Sequence, residues 1–238
     1  MERPFDLFCR RQRFLLAFEF LLIVQIALLA IQAREVHAEM AQGSHAMQAD
    51  SPGHGSLEDI AYSEYMHRLN GVFVFLLGVL AILERRWIKA SAFLRWGWPT
   101  LFLLSGVYLM IHSDQDAWPI GKMGFNESIR DPMIFQHKIA ASILLLLGLS
   151  EFLLRTAWKI PALGWVFPVL AASAGILLFF HAHTGHHVPK IYAQHLLMGA
   201  TALAIGVTSG FAKKFKSVEP LWPLMILLLG LELLLYTE

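Results

Sequence analysis

The sequence has a single cysteine, few charges and almost no net charge. Of its 238 residues one is cysteine (Cys9), 16% are charged, and the formal net charge is +1. One cysteine cannot form an intramolecular disulfide, which excludes a disulfide-stapled secreted domain. The small net charge argues against a nucleic-acid binder, which needs many phosphate contacts. The sequence also has no nucleotide-binding loop, no Ser-His-Asp arrangement and no His-Glu-x-x-His, so it assigns no catalytic residue and leaves enzymatic activity open.

Apolar residues are in excess. They make up 56% of the chain, whereas soluble domains contain about 45–50%. Runs of about 17–25 apolar residues are typical of membrane-spanning helices. The runs with almost no charge are Phe14–Gln32, His67–Leu83, Trp96–Ile111, His137–Leu154, Leu163–Phe180, His195–Phe211 and Trp222–Tyr236. The sequence therefore predicts an all-α, polytopic membrane bundle of about seven transmembrane helices.

The first apolar run has two readings. Four arginines lie within the first 13 residues, and small residues such as Ala33 follow the run, which is typical of a signal peptide. The run is long and contains Glu19, which favours a retained anchor. Residues 1–33 are thus a signal anchor or a cleaved signal peptide, and cleavage would leave six helices. In both cases 34–66 is an extracytoplasmic segment containing His and Met, and 67–238 is a six-helix membrane domain.

Lysine and arginine predict the orientation of the bundle. Thirteen of them fall in one set of loops and six on the opposite side. Because cytoplasmic loops carry the excess of positive residues, the first set is cytoplasmic. The N-terminus is then inside and the C-terminus outside, in the cell inner (cytoplasmic) membrane.

With this topology, all eleven histidines lie on the extracytoplasmic side. Three of them begin apolar runs, and each is followed by a small residue four positions on and by glycine eleven positions on. The repeats are His67-Gly71-Gly78, His137-Ala141-Gly148 and His195-Gly199-Gly206. These offsets place each set on one helical stripe, and small residues on a stripe let membrane helices approach closely. We therefore expect the three histidines to meet at the tops of packed seams.

A second histidine cluster follows the fifth helix, in the stretch Phe180–His187. Imidazole is a common ligand of copper and zinc, and thioether sulfur suits copper. The candidate metal ligands are His67, His112, His137, His181, His183, His186, His187, His195 and Met198. Asp114 and Asp116 either help to coordinate the ion or are solvated loop residues, and the sequence favours the second interpretation. Glu232, inside an apolar run, is expected to face protein or to reach the membrane interface.

Two family resemblances bear on the occupant of this site. Residues 100–212, through Asp114-Gln-Asp-Ala-Trp-Pro-Ile-Gly, Gln136-His137-Lys, Phe180-His181-Ala-His183 and Gln194-His195, resemble the CopD-type copper-resistance membrane proteins. This resemblance implies an inner-membrane protein that handles copper from the periplasmic side, with a periplasmic copper carrier as partner. No carrier domain is fused here, unless part of 34–66 serves as one.

The stretch Glu64-Tyr-Met-His67-Arg68-Leu-Asn-Gly71 is similar to the Glu-x-x-His-Arg-x-x-Gly motif of haem A synthases. It implies haem ligation by His67, His137 or His195, with Arg68 available to a haem propionate. Those enzymes usually have eight helices and often a cysteine pair that this chain lacks, so the resemblance favours b-type haem rather than haem A synthesis.

Three hypotheses follow from the sequence. The first is a membrane protein for copper binding, transport or homeostasis. The second is a b-type haem cytochrome with bis-histidine ligation, and the third is a non-catalytic subunit or assembly factor of a larger membrane complex. All three involve the lipid bilayer, and none involves nucleic acid.

Overall fold

The computed structural model describes residues 57–86, 92–156, 162–181 and 188–238. The chain divides into two units, Met1–Ala49 and Asp50–Glu238, and every described residue belongs to the second. The predicted first helix, Phe14–Gln32, therefore lies outside the described residues. So do three predicted metal ligands, His183, His186 and His187.

The described part of the chain is helical and contains no strand. Its elements are α1 (Leu57–Arg86), α2 (Ala92–His112), the single turn α3 (Phe125–Ser128), α4 (Pro132–Leu154), α5 (Leu163–Phe179), α6 (Val188–Ala212), a 3-10 turn (Lys216–Val218) and α7 (Leu221–Leu234). The prediction of an all-α chain is confirmed over these residues.

Four of the helical stretches are long and apolar enough to cross a membrane. They are Leu57–Arg85, Pro132–Leu154, Pro189–Ala212 and Lys216–Leu234, and the apolar helix Leu163–Phe179 is shorter. The described residues thus have the makeup of a helical membrane protein. The count of seven spans and the orientation of the termini stay predictions.

The six long helices pack as a closed ring. Going round it, α1 contacts α2, α2 contacts α4, α4 contacts α5, α5 contacts α6, α6 contacts α7, and α7 returns to α1. Successive helices run in opposite directions, so α1, α4 and α6 begin at the end where α2, α5 and α7 finish. We call this end the mouth. The ring encloses a central cavity that positions the site.

The small residues of the sequence repeat lie at three seams of this ring. A Cβ added at Gly71 would come within 2.7 Å of the Leu234 nitrogen on α7, and one at Gly206 within 2.5 Å of the Ala172 nitrogen on α5. A Cβ at Gly148 would come within 2.9 Å of the Leu103 nitrogen on α2. Each histidine-bearing helix therefore packs closely on the helix that precedes it around the ring, as small-residue stripes allow.

The helix starts differ from the expectation that these histidines open their helices. Helix α1 begins at Leu57, ten residues before His67, while α4 begins at Pro132 and α6 at Val188. The expectation was wrong because it followed the apolar runs alone. Residues before the histidines, several of them charged in α1, extend each helix, so the histidines lie inside their helices with backbone carbonyls of the preceding turn beside them.

Asp131 fixes the start of α4. Its side chain accepts hydrogen bonds from the backbone nitrogens of Met133 (2.9 Å) and Ile134 (3.0 Å), and Pro132 occupies the first helical position, where its missing N–H costs nothing. Replacing Asp131 with alanine should lower the free energy of unfolding by about 0.5–2 kcal/mol. Thermal unfolding in detergent tests this, and Asp131→Ser, which keeps a capping oxygen, should recover most of the loss.

The end of the ring opposite the mouth is closed by aromatic and charged side chains. Trp222 packs against Trp98 at 5.9 Å and Phe167 at 5.0 Å between ring centroids. Arg155 forms ion pairs with Glu84 and Glu151 and stacks over Trp98, 4.7 Å from its ring centroid. These contacts tie α1, α2 and α4 together at this end of the ring.

Candidate metal centre: a histidine ring at the mouth of the cavity

Four histidines, three on helices and one just beyond a helix end, form a closed cycle of ring contacts. The distances between ring centroids are 6.5 Å for His67–His137, 5.0 Å for His137–His181, 4.8 Å for His181–His195 and 5.8 Å for His195–His67. Three of these residues come from the sequence repeat, and His181 lies two residues after the end of α5. We call the four residues the histidine ring.

Hydrogen bonds orient three of the four imidazoles. His67 Nδ1 lies 2.8 Å from the Ser63 carbonyl, and His195 Nδ1 lies 2.9 Å from the Ile191 carbonyl, each one turn back on its own helix. His137 Nδ1 lies 2.8 Å from Asp114 Oδ1. Because all three partners are oxygen acceptors, Nδ1 of each ring carries a proton and donates it, which leaves Nε2 as the nitrogen that could bind a metal. Such a bond on the second nitrogen is typical of metal-ligating histidines.

Asp114 is part of this site, which corrects its interpretation as a solvated loop residue. Its side chain is only 11% exposed, and it accepts hydrogen bonds from His137 and from the Ser113 hydroxyl at 2.6 Å. Burial raises the pKa of the Asp114 carboxyl, but the hydrogen bonds from His137 and Ser113 and the nearby charges of His137 and Lys138 outweigh it, so the pKa is lowered overall. Asp114 is thus an ionised acceptor that holds the His137 ring.

Residues 236–238 close one side of the site. Tyr236 stacks on His67 at 3.8 Å between centroids and meets His195 edge-on at 5.6 Å. Its hydroxyl donates to Glu238 Oε1 at 2.9 Å, and Ser63 donates to the same oxygen. Burial, then the charge and hydrogen bond of Glu238, raise the pKa of the Tyr236 phenol. The backbone of Thr237 exchanges two hydrogen bonds with the Gln194 amide, which anchors the segment to α6.

The cavity below the histidine ring is largely apolar and has a volume of about 340 Å³. Four methionines line it, namely Met66, Met123, Met133 and Met198. One polar pair interrupts the apolar wall: Ser105 donates to Asn70 Oδ1 at 3.1 Å, and both side chains are buried. The cavity therefore offers imidazole nitrogen and thioether sulfur together in an apolar enclosure.

The charged side chains along the cavity wall are all acidic. They are Asp59, Asp114, Asp116 and Glu238, which we call the acidic mouth, and no lysine or arginine of the described ranges lines the cavity. Lys122 approaches Asp116 at 3.9 Å but points into solvent, with 95% of its side chain exposed. Like-signed charges around an opening attract ions of opposite sign, so this entrance favours cations.

The remaining predicted ligands separate into near and distant positions. Met198 is 1% exposed and lines the cavity one turn below His195. The His112 ring packs on Tyr108 at 4.7 Å, its carbonyl accepts from Tyr62, and it does not line the cavity. Arg68 is half exposed, pairs with Glu64 at 2.7 Å and also does not line the cavity.

The ligating atoms do not already converge on one point. Over 57–86, 92–156, 162–181 and 188–238, no three His, Cys, Asp or Glu side chains have the spacing of a formed metal site. His181 and His195 are near-parallel, with 27° between their ring planes. The histidine ring is therefore a cluster of oriented imidazoles whose side chains must turn before they can share an ion.

Comparisons with protein-family models, with curated proteins and with solved structures find no match to this chain.

Sequence reasoning did not identify several residues of the site. Asp114, Gln194, Tyr236 and Glu238 all contact the histidine ring or hold a residue that does. One signal was present, because Asp114 lies two residues after the end of α2 and α2 ends at the mouth. Tyr236 gave no such signal, since an aromatic residue at the end of an apolar run is common at membrane interfaces.

Proposed function

We propose that this protein is an integral membrane copper-handling protein that binds the ion at the histidine ring. The observation that carries the proposal is the closed cycle of four imidazoles, three of them with Nδ1 committed to an oxygen acceptor. Four imidazoles around one ion, with metal–nitrogen bonds of about 2.0–2.1 Å, place their centroids about 5 Å apart. The observed separations of 4.8–6.5 Å bracket that value, so modest side-chain rotations suffice.

Two further features favour copper as the cation. Thioether ligands select Cu(I), whereas imidazole suits several metals, and Met198 and Met66 line the cavity beside the ring. The acidic mouth attracts a cation and supplies negative charge that neutral imidazoles lack. In this proposal copper is the cargo of the protein. The residues that would hold it are His67, His137, His181 and His195.

The haem alternative fits the arrangement less well. His181 lies between His137 and His195, 5.0 Å and 4.8 Å from their ring centroids, so a macrocycle would have to share this side of the site with it. Haem propionates would also meet the acidic mouth, since Arg68 is engaged with Glu64. The third hypothesis, a subunit that presents these histidines to a partner's metal, is an outcome of the test below.

The predicted topology implies on which side of the membrane the copper site lies. Because the excess of Lys and Arg predicts the cytoplasmic loops, the mouth is predicted to face the extracytoplasmic side of the cytoplasmic membrane. A soluble copper carrier or a larger membrane complex could then deliver the ion to the acidic mouth. Labelling of an expression strain with a membrane-impermeant reagent tests this sidedness. Labelling of the mouth in intact cells supports it, and labelling only after lysis contradicts it.

Purification of the full chain separates the hypotheses. We expect a colourless protein that, after loading with Cu(I), retains about one copper per chain by elemental analysis, as one four-histidine site requires. A Soret absorption band in the purified protein favours the cytochrome and contradicts the proposal. If the purified protein has neither bound copper nor a Soret band, the partner-subunit hypothesis is favoured.

Asp114→Ala is expected to weaken copper binding by about 10–100-fold, because partners that orient a ligating histidine contribute about that much. The loss arises from the released His137 ring rather than from a lost ligand. Titration against a competing Cu(I) chelator measures it. Asp116→Ala is the matched control, since Asp116 lies in the same loop but is not hydrogen-bonded to a ring histidine in the described structure; an equal loss in both variants would indicate a general charge effect instead.

A further inference from the structure

Glu232 is a fully buried acid that the copper site does not use. It lies on α7, is 0% exposed and sits at the contact between α7 and α6. The sequence left open whether it faces protein or reaches the membrane interface, and in the structure its side chain faces protein. A carboxyl group inside a membrane bundle is costly to keep and is therefore a candidate for function.

The hydrogen bonds around Glu232 are compatible with a protonated acid. Thr201 Oγ1 lies 2.7 Å from Glu232 Oε1 and 3.1 Å from the Leu197 carbonyl. A hydroxyl has one proton and cannot donate to both oxygens at once. A protonated Glu232 can donate to Thr201 while Thr201 donates to the Leu197 carbonyl, so both short contacts become hydrogen bonds.

The second carboxyl oxygen supports the same state. Glu232 Oε2 is buried and has no hydrogen-bond partner among the described residues. An ionised carboxylate with one bare oxygen in an apolar interior is strongly disfavoured, whereas a neutral acid tolerates an unbonded carbonyl oxygen much better.

Among the described residues no compensating charge lies beside Glu232. The described helices packed against α7 are α1 and α6, and no titratable residue occurs between Arg68 and Glu84 of α1 or after His195 of α6. From α6 the group in contact is Thr201, and from α1 the close approach at this level is Phe75 on Gly230. The titratable groups of the described residues farther toward the mouth are Glu64, His67, Arg68, His195, Tyr236 and Glu238, and Arg68 donates to the Tyr236 carbonyl.

Glu232 nevertheless lies directly behind the cavity wall. Its neighbours on α7, Leu229 and Leu233, line the cavity, as do Met198 and Ala202 on either side of Thr201. Charges interact over longer distances in a low-dielectric interior than in water. A cation in the cavity therefore favours the ionised form of this acid, and by linkage loss of the proton favours the cation.

We infer that Glu232 is a proton-binding site, a neutral carboxylic acid that releases its proton when a cation binds in the central cavity. The acid form rests on the burial of Glu232, its unbonded Oε2 and the absence of a facing charge among the described residues, while the release rests on the proposed function. For a singly charged ion such as Cu(I), the proton leaves as the cation arrives, and the charge inside the bundle does not change.

Infrared difference spectroscopy of the detergent-purified full chain tests the acid form. Wild type minus Glu232→Gln is expected to show one carboxylic acid C=O band at neutral pH that shifts in D₂O. Thr201→Val should move this band to higher frequency because the acid loses its acceptor. Glu127→Gln, which changes an exposed acid, is the control and should leave the band in place. If the infrared spectra of wild type and Glu232→Gln are the same in the range of the carboxylic acid C=O band, the inference is overturned.

Loading the same samples with Cu(I) tests the release. The band should disappear in wild type as copper binds, and wild type should release about one more proton per ion than Glu232→Gln in a weakly buffered solution. Copper bound by elemental analysis with the acid band unchanged overturns the inference. Absence of bound copper overturns the proposed function and the release together, and the metal-free spectra still decide the acid form.

Discussion

Replacing His67 with alanine is expected to abolish tight copper binding. His67 contacts both His137 and His195 across the mouth, and its Nδ1–H donates to the Ser63 carbonyl. Its removal opens the cycle of four imidazoles and takes away one ligand. Since loss of an orienting partner alone weakens metal binding by about 10–100-fold, loss of a ligand should cost at least about 100-fold. Competition with a Cu(I) chelator measures the affinity.

His112→Ala is the matched control for this result. His112 lies at the same end of the bundle, but its ring packs on Tyr108 and does not line the cavity. Its removal should leave the copper affinity unchanged within about twofold, as expected for a side chain outside the ligand set. Equal loss in His67→Ala and His112→Ala would show that copper binds through a diffuse histidine surface and not at the histidine ring.

Replacing Gly206 with alanine should strongly destabilise the bundle. The added Cβ would lie 2.5 Å from the Ala172 nitrogen and 2.6 Å from the Pro168 oxygen, both backbone atoms of α5. Backbone cannot move aside as a side chain can, so α5 and α6 must separate. Inserting a methyl group into a packed seam costs about 1–3 kcal/mol, and this seam is at the upper end. The melting temperature in detergent and the monodisperse yield should both fall.

Gly210, one turn further along α6, provides the comparison. A Cβ there would make ordinary contacts of 3.7 Å with Pro168 and Trp165. Gly210→Ala should be neutral or stabilising by up to about 1 kcal/mol, because glycine is unfavourable inside a helix. If both substitutions have the same effect, close approach at the seams does not limit the stability of the ring.

The helical class and the seams follow from local pattern. Apolar runs of spanning length predict helices wherever the chain is placed, and a spacing of four and eleven residues puts a histidine and its small residues on one stripe whatever the partner helix. For this reason Gly71, Gly148 and Gly206 could be assigned to helix contacts before their partners were known. The helix starts were less accurate, because polar extensions such as Leu57–Met66 carry no apolar signal.

Membership of the site depends on the order of helices around the ring. His112 and His181 both occur at helix ends near the mouth, and no linear pattern distinguishes them. Closure of α7 on α1 and of α5 on α6 turns His181 toward His195 and leaves His112 against Tyr108. The acidic mouth forms in the same way, since Asp59, Asp114 and Glu238 come from three distant parts of the chain.

The scarcity of charge and cysteine, the apolar runs and the one-sided histidines therefore establish what kind of chain this is and which end holds its chemistry. These properties are encoded in composition and in periodicities of a few residues, which act independently of distant segments. Which imidazoles meet, why Asp114 holds one of them and how Glu232 is buried beside Thr201 are set by contacts between residues 14 to 128 positions apart. Such contacts exist only once six helices have closed into a ring.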